Sequence, residues 1–151
     1  MKAAAIVAFA LFPCAALGQS DPGAPVVDGM VWQPAGSVCR AWQQGAEPAK
    51  SSQSTLVFIA FPSAEPPFGM RGLMKIDGVL HELRQIAHAR QSGAISVHYR
   101  TQGYRNYDVR LNLAGLSAST VAGEALTGTM IVSRFGLFNQ IEISGSCGDR
   151  S

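Results

Sequence analysis

The sequence predicts an all-β domain: an antiparallel sandwich or small barrel of about 7–8 strands. Three observations carry that reading. Residues 94–100 and 107–113 alternate apolar and polar side chains with a strict period of two, the mark of half-buried strands. Short apolar segments are separated by Gly-, Asn- and Ser-containing turn signals at intervals of roughly 8–12 residues. No proline follows Pro67, so the rest of the chain can form uninterrupted ladders.

The chain opens with MKAAAIVAFALFPCAALG over residues 1–18. One Lys, an apolar run and Ala16-Leu17-Gly18 before Gln19 read as a Sec-type signal peptide. Pro13 interrupts the run, which is short of the ~20 residues of a spanning helix. Cys14 follows Phe12 and Pro13 rather than the small residue of a lipobox. The expectation is cleavage, a periplasmic or secreted protein, and no transmembrane segment after cleavage. The remaining residues, 19–151, suit one domain.

Residues 19–37 hold Pro22, Pro25 and Pro34 and read as an extended N-terminal segment without a stable element. Residues 38–151 read as a single β domain. Its first strand, residues 38–42, carries Cys39, and a polar loop follows over 43–54. Residues 55–61 (TLVFIAF) form a continuous apolar run suited to a strand buried on both faces. Residues 63–72 hold Pro66-Pro67 and read as a loop.

Residues 73–86 can be read in two ways. Asp77-Gly78 between apolar runs is a strong hairpin signal. Val79, Leu83 and Ile86 also fall at helical spacing, and LHELRQIAHAR uses good helix formers up to Ser92-Gly93. The hairpin is favoured, with one short helix within 79–90 as the alternative.

Residues 94–100 and 107–113 then pair around a connection containing Gly103. The expected register sets Val97 opposite Val109, Tyr99 opposite Tyr107, and His98 opposite Asp108 on the wet face. Residues 114–124 read as a small-residue loop. Residues 125–134 and 137–147 are the last two strands, joined around Phe135-Gly136.

With Cys14 removed, Cys39 and Cys147 remain. In an oxidising compartment they are expected to form one disulfide, closing a loop of roughly a hundred residues worth about 4–5 kcal/mol in the chain-entropy view. A CxxC spacing is absent and no His lies near either Cys, which argues against redox or metal roles.

Twelve Lys and Arg stand against ten Asp and Glu. That balance gives no general reason to expect nucleic acid as a partner. Of the three histidines, His81 and His88 are seven apart, have opposite strand parity and lack an acidic neighbour at a ligand spacing. They read as solvated, and neither a metal nor a cofactor is expected. The carboxylates show no paired arrangement of the glycosidase kind. His98 opposite Asp108, with Ser96 on the same face, admits a hydrolase reading. No G-x-S-x-G elbow supports it, and a Ser on a flat strand lacks an oxyanion site.

The least uniform feature is basic and aromatic. Arg84, Arg90, Arg100, Arg105 and Arg110 interleave with Tyr99, Tyr104 and Tyr107. Arg and Tyr near a hairpin tip are residue types enriched in binding hot spots, and Arg suits anions through bidentate bonds. The candidate binding residues are Arg100, Tyr104, Arg105, His98 and Arg110. A second candidate surface is Phe135, Gly136, Leu137 and Phe138, which either plug a barrel end or mark an interaction site.

The plan resembles that of small disulfide-stapled β-barrel proteins of the bacterial envelope, lysozyme inhibitors among them. Ser92-Gly93 followed by Tyr99 is similar to the Ser-Gly…Tyr loop of those inhibitors, at a different spacing, and no functional residue is carried over. The functional expectation is a non-enzymatic periplasmic or secreted binding protein, in one form an inhibitor, facing an envelope protein or a small anionic ligand. The alternatives are a hydrolase using His98 and Asp108, and an accessory subunit docking through residues 135–138.

Overall fold

The computed structural model describes residues 20–31, 39–45, 55–62, 70–103, 106–120 and 123–147. They form strands only: β1 (Val27–Asp28), β2 (Met30–Val31), β3 (Cys39–Gln43), β4 (Thr55–Leu56), β5 (Phe58–Pro62), β6 (Met70–Ile76), β7 (Val79–Gln91), β8 (Ala94–Thr101), β9 (Asp108–Thr120), β10 (Gly123–Arg134) and β11 (Leu137–Cys147). Among the described residues no helix is long and apolar enough to cross a membrane. The proposed signal peptide, residues 1–18, lies outside them.

Eight strands make a closed antiparallel barrel. From β5 onward each pairs with the next in the chain, and β3 pairs with both β5 and β11. This is an up-and-down meander whose last strand returns to its first. A ninth strand, β1, adds to the end of β6, and β2 pairs with β4 outside the barrel.

Three of the hairpins are built on one device. Asp77-Gly78, Ser92-Gly93 and Phe135-Gly136 each place two successive residues at positive φ, between 46° and 84°. That is the type I′ geometry, whose twist matches the flanking strands. Asp77-Gly78 therefore joins β6 to β7 as a hairpin, and the short helix considered within 79–90 is not formed. Its periodicity has a simple origin. The β7–β8 register shifts between Gln85 and Ala87, so Ile86 is an extra residue in a bulge. One extra residue turns strand spacing into what looks like helical spacing.

The same bulge overturns the parity expected of the two histidines. His88 pairs with the core residue Val97, so it faces inward like His81 and not away from it.

The β8–β9 pairing differs from expectation by two residues. Val97 stands opposite Leu111, His98 opposite Arg110, Tyr99 opposite Val109 and Arg100 opposite Asp108. The connection is tighter than the sequence suggests because Thr101 is held by Tyr107. The Tyr107 amide donates to Thr101 Oγ1 at 2.9 Å, and the Thr101 amide donates to the Tyr107 carbonyl at 3.1 Å. A slip of two leaves every side chain on its expected face.

Three further differences concern segments read as irregular, the first being that residues 70–72, at the end of the segment read as a loop over 63–72, begin β6. Residues 114–120 continue β9 and residues 123–124 begin β10, because small Ala, Ser and Thr side chains are tolerated in a strand once it is paired. The N-terminal segment holds β1 and β2 despite its prolines. Asp77 Oδ1 accepts from the Val26 amide at 2.8 Å, and Asp28 Oδ2 accepts from the Gly78 amide at 2.6 Å. Asn139 Nδ2 donates to the Pro25 carbonyl at 3.0 Å. Tertiary hydrogen bonds thus supply the order that local propensity lacks.

The barrel interior is the main core, with Met74, Leu83, Tyr107, Met130 and Val132 fully buried. A smaller cluster of Met30, Leu56 and Ile59, packed by Trp42 and Phe61, lies outside the wall. Residues 56–60 are thus buried on both faces, as the composition of this run predicts.

Candidate binding surface on the outer wall

Alternation along β6–β9 sends one set of side chains into the barrel and the other to the outer wall. The outer set carries the charges. Arg71 pairs with Arg84, Arg84 with Arg100, and Arg100 with Asp108, in one row across four neighbouring strands. In the adjoining row His98 stands opposite Arg110. Sequence reasoning named Arg100, Arg110 and His98 for this surface. It missed Arg71 and did not place Arg84, because their positions follow from the β6–β7–β8 register.

His98 and Asp108 do meet, although not as directly opposed residues. His98 Nε2 lies 3.0 Å from Asp108 Oδ1 across a diagonal. The same oxygen accepts from Arg100 Nε at 3.0 Å and from Arg100 Nη2 at 2.9 Å. One carboxylate oxygen therefore serves both the imidazole and the guanidinium. The Ser96 hydroxyl donates to Asn112 Oδ1 at 3.1 Å, which ties it to β9 rather than to His98. At the other end of the row Arg71 Nη1 pairs with Glu82 Oε1 at 3.1 Å. The arrangement suits recognition of an anion by guanidinium forks. Tyr104 and Arg105, the two residues expected at the hairpin tip, lie outside the described residues.

The barrel end near Asp77 is plugged by a polar network that the sequence reading did not find. Tyr107 is fully buried, and its hydroxyl donates to Asp77 Oδ2 at 2.6 Å. The His81 ring meets the Tyr107 ring edge-on, with centroids 5.1 Å apart. The Arg134 guanidinium sits 5.2 Å above the Tyr107 ring and donates to its hydroxyl at 3.4 Å. Burial raises the Tyr107 pKa, and the hydrogen bond and charge of Asp77 raise it further; Arg134 opposes the shift. His81 is thus packed against an aromatic ring rather than solvated. The only sequence signal for this network was Asp77, which was read as a turn residue alone.

Phe135 does not plug this end. It is 89% exposed, at the positive-φ position of its turn, with Arg134 stacked 4.5 Å from its ring centroid. Leu137 is exposed as well.

Ser92, Gly93 and Tyr99 do not share one exposed loop. Ser92-Gly93 is a hairpin tip, and Tyr99 is buried in the core. Among the described residues no three His, Cys, Asp or Glu come together as a metal site. Comparison of the chain with protein-family models, with curated proteins and with solved structures finds no match.

Proposed function

We propose that this is a non-enzymatic binding protein of the periplasm or the secreted space. Its contact surface is the outer-wall row of Arg71, Arg84 and Arg100 with Arg110 and His98 beside it. The partner is an envelope protein bearing carboxylates, or a small anionic ligand. One observation carries the reading: Arg84 stands directly between two other arginines on adjacent strands. The row of guanidinium groups concentrates positive charge on this part of the outer wall. An incoming carboxylate or phosphate meets planar donors of matching geometry there.

The test uses inorganic pyrophosphate and a hexaglutamate peptide, titrated into isotope-labelled protein at low salt. Saturable shifts confined to β6–β9 are expected, weakening as salt rises through the range where surface charges are screened. The R84Q/R100Q/R110Q variant should lose at least tenfold in affinity with its melting temperature nearly unchanged. Equal affinity in that variant defeats the reading.

The placement of Cys39 directly opposite Cys147 on β3 and β11 supports the disulfide as part of this proposal. Opposed residues in an antiparallel pair have Cα atoms about 4.5–5.5 Å apart, inside the range a disulfide spans. A stapled seam fits a protein that works in an oxidising compartment.

A further inference from the structure

The barrel interior is not uniformly filled. Toward the Asp77 end Met74, Leu83, Met130 and Val132 are fully buried. In the half nearer the Ser92-Gly93 turn it holds a cavity of about 140 Å³, lined from seven of the eight barrel strands. Its origin is legible in residue size. On β3, β5 and β11 the lining includes Ala41, Ala60 and Gly145, whose side chains stop at Cβ or short of it, beside the larger Phe58 and Ile143. On the facing strands β8 and β9 stand Val97, Tyr99 and Leu111. Gly145 cannot be enlarged to fill the space, because a Cβ there would lie 2.6 Å from the Arg40 carbonyl oxygen.

We infer that this cavity is a second binding site, for a neutral molecule the size of a single six-membered ring bearing one hydrogen-bonding group. The size argument is direct. An engineered apolar cavity of ~150 Å³ stays dry and takes up benzene, and an eight-stranded barrel is just wide enough to hold one small ligand. Natural interiors leave few voids larger than a water molecule. The chemistry follows from the lining. It is almost wholly apolar, which excludes a charged occupant because an unpaired buried charge is expensive. Of the polar residues lining it, Arg40 and His88 are exposed and Gln85 is buried: Gln85 is 8% exposed and stands directly opposite Tyr99. Its amide offers two donors and an acceptor. A hydroxyl or carbonyl on an otherwise apolar ring matches that one buried amide. This site is independent of the arginine row, which lies on the other side of the wall.

Phenol, benzene and benzoate serve as probes for the full-length mature protein with isotope-labelled methyl groups. Saturable one-to-one shifts of the Val97, Leu111 and Ile143 methyl signals are expected with phenol and benzene. Benzoate is expected to leave those three unchanged, whatever it does on the outer wall. Ala60→Leu, which puts a side chain into the space, should weaken both neutral ligands at least tenfold while keeping the wild-type spectrum elsewhere. Ala41→Val is the alternative filler if that variant does not fold. Gln85→Leu should lower the preference for phenol over benzene roughly fivefold. Absence of saturable methyl shifts in the wild-type protein overturns the inference. So does undiminished binding in the filled variant, or binding of benzoate at the same methyl groups.

Discussion

Tyr107, at the end of the β8–β9 connection, donates its hydroxyl proton to Asp77, the first residue of the β6–β7 turn, at 2.6 Å. Asp77 also accepts the Val26 amide, so a single carboxylate joins two connections and the N-terminal segment. Hydrogen bonds to charged groups contribute about 1.5–3 kcal/mol each. Tyr107→Phe should therefore destabilise the protein by about 2 kcal/mol, read as a lower midpoint in chemical denaturation with unchanged slope. An unchanged midpoint would show that the contact contributes nothing.

Alkaline pH should unfold the protein cooperatively. Burial raises the pKa of Tyr99, and burial with Asp77 raises that of Tyr107. Their protonated forms are favoured more in the folded chain than in the unfolded one. The stability this represents is fully present below the unfolded value of about 10, and it is lost as pH rises through the higher folded values. Stability measured from pH 8 to 12 should hold level and then fall above about 10. The fall should be shallower in Tyr107→Phe, measured relative to its own value at pH 8.

Gly128 is a steric necessity rather than a turn residue. A Cβ there would lie 2.0 Å from the Asn112 carbonyl oxygen, in the backbone of the neighbouring strand. Gly128→Ala should cost more than about 2 kcal/mol, because the β9–β10 ladder must spread to admit it. Gly93→Ala meets open space and is opposed only by its φ of +84°, so it should cost about 1 kcal/mol. Melting temperatures of the two variants should rank in that order.

Mass spectrometry of non-reduced protein exported to the periplasm should show residue 39 linked to residue 147, with residue 14 absent. Reduction should lower stability by about 2–4 kcal/mol, the usual range for a bridge. Free thiols at both positions would refute the bridge without touching the barrel.

Much of the barrel was legible because its signals are local. Asp77-Gly78 and Phe135-Gly136 announced their turns, and the alternation in residues 94–100 and 107–113 fixed which faces are wet. What was hidden depends on contacts between distant residues. The Thr101–Tyr107 closure sets the β8–β9 register, and it could not be distinguished from a looser connection on sequence alone. The bulge at Ile86 disguised a strand as a helix. For the candidate site, Arg100, Arg110 and His98 were visible as residue types. The row that Arg100 shares with Arg71 and Arg84 exists only once β6, β7 and β8 are aligned. The plug around Tyr107 was invisible because His81 and Arg134 reach it from β7 and β10.

The seam between β3 and β11 has a kinetic meaning. Strands β5 through β10 each pair with the strand that follows, so their hairpins can zip in sequence over short loops. The seam instead brings together residues about a hundred positions apart, and such non-local pairing is slow. It should be the last ladder to form. Until then β3 and β11 are open edges able to recruit strands from other chains. The moment of greatest danger for this protein is therefore the interval before its two ends meet. An oxidant that links residue 39 to residue 147 would act at the end of that interval, locking in a circle already drawn.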